Sequence, residues 1–169
     1  MIGIRLEQPE DVAAVRQVNE TAFGRPLEAD LVDALRQRGV VALSLVAEQN
    51  GEIIGHILFS PVTITAEDKV VTAVALGPMA VLPTCQREGI GSQLVQTGLE
   101  MLRQAGHNLI IVLGHPEYYP RFGFAPASQF GIRWENDVPD EVFMVMALRP
   151  GGLDGVTGIV RYQREFSKV

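Results

Sequence analysis

Cysteine is nearly absent from this chain of 169 residues: Cys85 stands alone. That excludes an internal disulfide and suits a reducing compartment. Long apolar runs are missing too. LIIVL at 109–113 falls far short of the ~20 residues needed to span a bilayer. The opening MIGIRLEQPEDV has no basic stretch followed by an apolar one, so no signal peptide is expected. The expectation is a cytoplasmic protein without a membrane partner. Basic charge is in deficit, with 14 Lys and Arg against 20 Asp and Glu, a formal net charge of −6. Without clustered cations to neutralise phosphates, a nucleic-acid partner is not expected. The three histidines at 56, 107 and 115 lack metal-ligand spacing and no acidic cluster supports them, so no metal is predicted. Repeats and low-complexity segments are lacking as well.

What remains is an ordinary globular composition, 47% apolar and 20% charged, in a length that suits one domain with a sizeable core. The pattern predicts a first strand over 2–6. Pro9, Glu10 and Asp11 then open a helix, because proline is tolerated in a first turn and acids suit its positive end. A second helix over 27–38 carries Leu27, Leu31, Ala34 and Leu35 on one face and stops at Gly39. Strand-like runs at 41–48 and 52–65 flank Asn50-Gly51, a strong hairpin signal because both residues tolerate positive φ. A third run at 70–82 completes an antiparallel meander. A helix, strands over 108–114 and 142–148, and a last strand or docked extension over 158–166 follow. Antiparallel strands followed by a β–helix–β unit indicate an α+β domain with a mixed sheet.

The segment CQREGIGSQLV at 85–95 puts two glycines at a helix start. Projection at ~100° per residue separates that helix cleanly. Ile90, Leu94, Val95, Gly98, Leu99, Met101, Leu102 and Ala105 fall on one half and the polar residues on the other. The first turn of a helix has N–H groups without intrahelical partners and sits at the positive end of the dipole, so it binds phosphate when nothing blocks approach. Gly89 and Gly91 permit a nest of inward amides, with Arg87 and Ser92 beside it. A plain tight turn into a helix is the simpler reading of such a pair. Against it, the preceding strand contains Gly77-Pro78, and both residues disfavour a regular ladder. A bulged strand there would splay from its neighbour and leave backbone groups free for an extended ligand that continues from the phosphate.

The stretch LGPMAVLPTCQREGIGSQLV resembles the central motif of the GNAT superfamily of acetyl-CoA-dependent N-acetyltransferases: Gln86, Gly89 and Gly91 after a bulged strand, with Val81 and Pro83 in the family's usual places. YYPRFGF at 118–124 resembles the family's later signature, and the likeness extends over nearly the whole chain to a bacterial subgroup of N-acetyltransferases. The resemblance implies a GNAT-like fold, a mixed and mostly antiparallel sheet flanked by helices with a bulged central strand. It also implies a domain over 1–150, with 151–169 as a C-terminal extension docked as a strand. Backbone groups of Met79, Ala80 and Val81 would run along the pantetheine arm of acetyl-CoA. The amides of Arg87, Gly89, Ile90, Gly91 and Ser92 would hold the pyrophosphate, with Gln86 completing the motif.

Acetyl transfer from a thioester to a primary amine needs a neutral amine, a donor for the oxyanion and an acid for the thiolate. A free strand N–H near Ala80 or Val81 would supply the donor. Tyr119, four residues before Gly123, is the candidate acid, since similar enzymes often carry a tyrosine there; Tyr118 is its neighbour, and either ring could equally pack the turn. Many relatives place a glutamate on the central strand, yet 74–82 contains no carboxylate. His115 and Glu28 are the candidate bases, Glu28 alternatively as an acceptor contact, and a water chain would serve as well. Cys85 reads as a passive loop thiol, and Trp134 and Phe143 as core or pocket wall. The function expected is an N-acetyltransferase acting on a small-molecule or protein amine. The competing reading is an acyl-CoA sensor without turnover. Edge strands near the C-terminus make a homodimer a reasonable expectation.

Overall fold

Alternation and turn chemistry build the N-terminal hairpin first. In the computed structural model, which describes residues 1–169, β1 (Ile2–Leu6) pairs antiparallel with β2 (Leu43–Gln49), and β2 with β3 (Glu52–Thr65). The β2–β3 turn is Asn50-Gly51, both at positive φ (53° and 78°), the conformation a two-residue hairpin of this type requires. A register shift between Ala47 and Glu48 marks a bulge beside it. Between β1 and β2 lie α1 (Val12–Phe23) and α2 (Leu27–Arg38), which end on left-handed Gly24 and Gly39. The remaining elements are β4 (Val70–Val81), α3 (Ile90–Gln104), β5 (Leu109–Leu113), β6 (Ala125–Pro126), β7 (Ile132–Trp134), β8 (Phe143–Ala147) and β9 (Gly158–Arg161). The strand order is β1-β2-β3-β4-β5-β8-β6, with β9 paired to β3 and β7. It is a mixed, mostly antiparallel sheet.

The chain divides into two compact units, Met1–Ser60 with Gly77–Met101 and Arg164–Val169, and Pro61–Leu76 with Leu102–Gln163. In the first, β3 presents alternate residues to opposite faces, as strand geometry demands. Leu58 joins Val15, Leu31, Val32, Leu35 and Val46 in the core under α1 and α2. Phe59 faces α3, where a Cβ on Gly98 would overlap its ring. Gly98 therefore sits on the apolar half of α3 because the helix closes on an aromatic ring there. Several buried polar groups are linked in a chain, although Asn19 Oδ1 and Ser60 Oγ have no partner. Ser44 Oγ lies 2.6 Å from Glu7 Oε1 and 2.9 Å from His56 Nε2, and Asn19 Nδ2 donates to Val15 O (3.0 Å) and His56 Nδ1 (3.2 Å). These partners make His56 neutral with its proton on Nε2. Its burial pushes the imidazole pKa down to about 3, with the nearby Arg36 charge adding to the effect.

In the second unit, Val62 and Ile64 of β3, Ala73 and Ala75 of β4, Leu109 and Ile111 of β5, and Phe143 and Val145 of β8 form one buried cluster. β4 and β5 are parallel, and their register covers only Val74–Leu76 against Ile110–Val112.

Three details differ from the sequence reading. The short strands β6 and β7 form in a stretch read as connection, since neither is long enough to show alternation. Strand β2 starts at Leu43, two residues late. The tail is a strand only through Arg161 and then a 3-10 turn at Arg164–Lys168, whose Glu165 pairs with Arg38 and whose Phe166 packs on the α1–α2 core.

Candidate active site

The parallel register stops at Leu76, and the next residue, Gly77, has φ +138°, a conformation closed to L side chains. The strand still runs on through Val81, and Leu82 N–H bonds to Ile54 O, so the segment is held from the β3 side. That is the interrupted ladder expected from Gly77-Pro78.

The loop beyond it is built of main chain. Arg87 and Gly89 adopt left-handed φ values of 68° and 81°, the kind of backbone conformation from which anion nests are built. The first intrahelical bond of α3 runs from Gln93 N–H to Gly89 O. The amides of Ile90, Gly91 and Ser92 thus lie in the first turn, ahead of the ladder, at the positive end of a 15-residue helix. Ile90 buries its side chain and offers only its N–H. A Cβ at Gly89 would meet no atom within 4 Å, so its φ alone makes glycine necessary. Gln86 Nε2 donates to Val81 O at 3.0 Å, a strut between the loop and the end of β4. This arrangement can hold a pyrophosphate. Cys85 is half-buried beside Thr84.

The other candidate groups lie on a tight turn after β5. His115 is exposed and lines an open hollow of about 290 Å³ with Leu113, Gly114, Pro116 and Val142. Its carbonyl accepts from the N–H groups of Tyr118 (3.2 Å) and Tyr119 (3.3 Å), which fixes the turn. Tyr119 is buried and packs edge-on against Phe124 and Tyr118, with centroids 5.8 Å and 5.0 Å apart. Burial, reinforced by Tyr118, pushes its phenol up to about 12, so it stays protonated at neutral pH, as an acid must. Tyr118 is half-buried, edge-on to Phe122 and under Arg121, whose guanidinium carbon is 4.7 Å from the ring centroid. Glu28 is buried in the first turn of α2, and both of its oxygens accept from Arg25.

One contributor escaped the sequence reading. A Cβ on Gly114 would overlap the Tyr119 ring, so this glycine sets where the phenol sits. Its only sequence signal is its place at the end of a strand, next to His115.

Comparison with known proteins shows the family. The family model of the GNAT acetyltransferase domain matches residues 3–127. The chain is 36% identical over 166 residues, 98% of either chain, to the uncharacterized N-acetyltransferase YhbS of Escherichia coli K12. It is 41% identical over 134 residues to YjhQ of the same strain, also described as an uncharacterized N-acetyltransferase, covering 78% of this chain and 74% of that one. The crystal structure of E. coli YhbS in complex with CoA superposes with a TM-score of 0.92 at 34% identity, covering 98% of this chain and 92% of that one. A GNAT acetyltransferase from Brucella melitensis in complex with acetyl-CoA gives 0.82 at 39% identity and 98% coverage of both. These relatives favour an enzyme over a sensor that only binds. With a family match over most of its length and the interrupted strand and amide loop in place, this chain belongs to the GNAT family and is an acetyltransferase.

Proposed function

We propose that the chain moves the acetyl group of acetyl-CoA to a primary amine by direct attack on the thioester. The observation that carries this reading is the loop at 86–92, where two left-handed residues and an unladdered helix turn gather main-chain donors after a strand that has left its parallel partner. Two similar solved structures hold CoA or acetyl-CoA, which supports the same donor here. The amides of Arg87, Gly89, Ile90, Gly91 and Ser92 take the pyrophosphate, and Gln86 braces them through Val81. Met79, Ala80 and Val81 offer strand-edge groups to the pantetheine arm, and an N–H at Ala80 or Val81 stabilises the thioester oxygen as charge develops on it.

As the amine nitrogen bonds to the carbonyl carbon and the C–S bond breaks, Tyr119 gives its proton to the departing sulfur. His115, directly or through water, removes the proton that the nitrogen sheds. Glu28, with both oxygens engaged by Arg25, acts as an organiser of the acceptor side and not as the base. Calorimetric titration with CoA tests the reading, followed by transfer assays over an amine panel. Absence of CoA binding would end it, and binding without transfer to any amine would restore the sensor.

A further inference from the structure

The hollow at the end of β5 is apolar except at one point. Leu113, Gly114, Pro116 and Val142 line it, and His115 supplies its one titratable side chain. No carboxylate, guanidinium or ammonium group borders it. Both faces of β5 are covered for four residues, Leu109 to Val112, each 1% exposed or less. The cover stops at Leu113, which is 40% exposed. The hollow thus begins where a buried strand runs out of partners. Its walls are tied together by main chain: Gly114 N–H donates to Val142 O at 2.9 Å, and Leu113 stands opposite Phe143 in the β5–β8 register. Its volume of about 290 Å³ lies at the small end of the range for small-molecule pockets.

Of the two groups assigned to proton transfer, His115 lines the hollow and Tyr119 packs on a residue that does. A Cβ on Gly114 would overlap Cε2 of Tyr119 and lie 3.3 Å from Cζ, the carbon that bears the hydroxyl. The glycine that shapes the hollow therefore also sets the phenol. A primary amine in water, with a pKa of roughly 10 like lysine, is almost entirely an ammonium at neutral pH. It must shed a proton to attack. Apolar surroundings penalise the ammonium more than the neutral amine, so they favour that step. They offer no partner to a second charge elsewhere in the molecule. What such walls do bind is hydrocarbon, by taking its surface out of water.

We infer that this hollow seats the hydrocarbon substituent of the acceptor, which makes the substrate class small primary monoamines with an aliphatic or aromatic group beside the nitrogen and no second charge. The inference rests on the acetyl-transfer reading above and narrows its acceptor. Polyamines and free amino acids are disfavoured by the same walls, because each would bring a further ammonium or a carboxylate out of water without a counter-charge.

The full chain is assayed with acetyl-CoA against straight-chain amines from ethylamine to hexylamine, and against 1,4-diaminobutane. Butylamine and the diamine share four carbons and differ by one ammonium group. kcat/KM should rise about threefold per added methylene, and butylamine should exceed the diamine by about tenfold or more. Leu113→Asp puts a carboxylate in the wall and should reverse that preference. Leu113→Thr, a residue that suits a strand, should flatten the series, and it still reads the wall if the acidic variant fails to fold. Calorimetric CoA affinity equal to the parent's marks a folded variant. A flat series in the parent, a diamine equal to or better than butylamine, or an unaltered preference in the folded variants would overturn the inference and leave acetyl transfer standing. Failure of the parent to bind CoA, or transfer to no amine of any kind, would instead overturn the acetyl-transfer reading and the inference with it.

Discussion

The loop at 86–92 and the turn at 113–124 perform different work with different materials. The loop is made of peptide groups: its exposed side chains, Arg87 and Glu88 among them, decorate a cradle whose donors are amides. The turn is made of side chains, a buried phenol, an exposed imidazole and an aromatic cluster set by one glycine. A backbone site is blind to most substitutions and is broken by those that change φ, whereas a side-chain site fails atom by atom.

The sharpest break of that contrast is Gly89→Val. A β-branched residue cannot hold φ +81°, so the nest should open and CoA affinity should drop by about a hundredfold or more by calorimetry. Arg87→Ala in the same loop should cost far less, since its amide remains. Tyr119→Phe comes next. It should lower kcat by about a hundredfold, the usual scale for a general acid, with CoA affinity unchanged. In the parent, kcat should show no alkaline loss from this group until the pH nears the phenol's value of about 12. Gly114→Ala should shift the Tyr119 ring without touching its chemistry. A roughly tenfold fall in kcat and a melting point lower by a few degrees are expected, from the overlap a methyl group would create. Gln86→Ala removes only a strut and should weaken CoA binding several-fold, about 1 kcal/mol for one exposed hydrogen bond.

A last test lies outside both regions and should leave activity near neutrality nearly untouched. His56 is neutral when folded, and its pKa of about 3 lies below the ordinary 6.5. The unfolded chain therefore binds the extra proton first. The stabilisation from keeping this imidazole neutral is complete above pH 6.5 and is lost as the pH falls toward 3. Acid melting curves should steepen in that window for the parent and flatten for His56→Gln.

Much of the fold was legible because its signals are local. Asn50-Gly51 announces its hairpin, Pro9 and the two acids after it a helix start, and the polar and apolar halves of α3 need only a projection. The backbone shape of the cradle was legible for the same reason, since Gly77, Gly89 and Gly91 act through the main chain within 15 residues of one another; the side-chain strut from Gln86 to Val81 was not. Neither was the side-chain site. Gly114 matters because of a ring five residues away that folds back over it. His56 meets Ser44 and Asn19 across 12 and 37 positions, distances over which periodicity carries no information. Glu28 looked like a free helix acid until Arg25 proved to be bound to it. Strands β6 and β7 are too short to have a period, and exist because β8 and β9 offer them an edge.

The bond from Gln86 to Val81 bears on how the donor is gripped. The Val81 carbonyl has two lone pairs and gives one of them to this strut, so a pantetheine amide can take the other without displacing Gln86. The grip on the arm and the brace of the amide loop would then converge on one oxygen, and filling the first would stiffen the second.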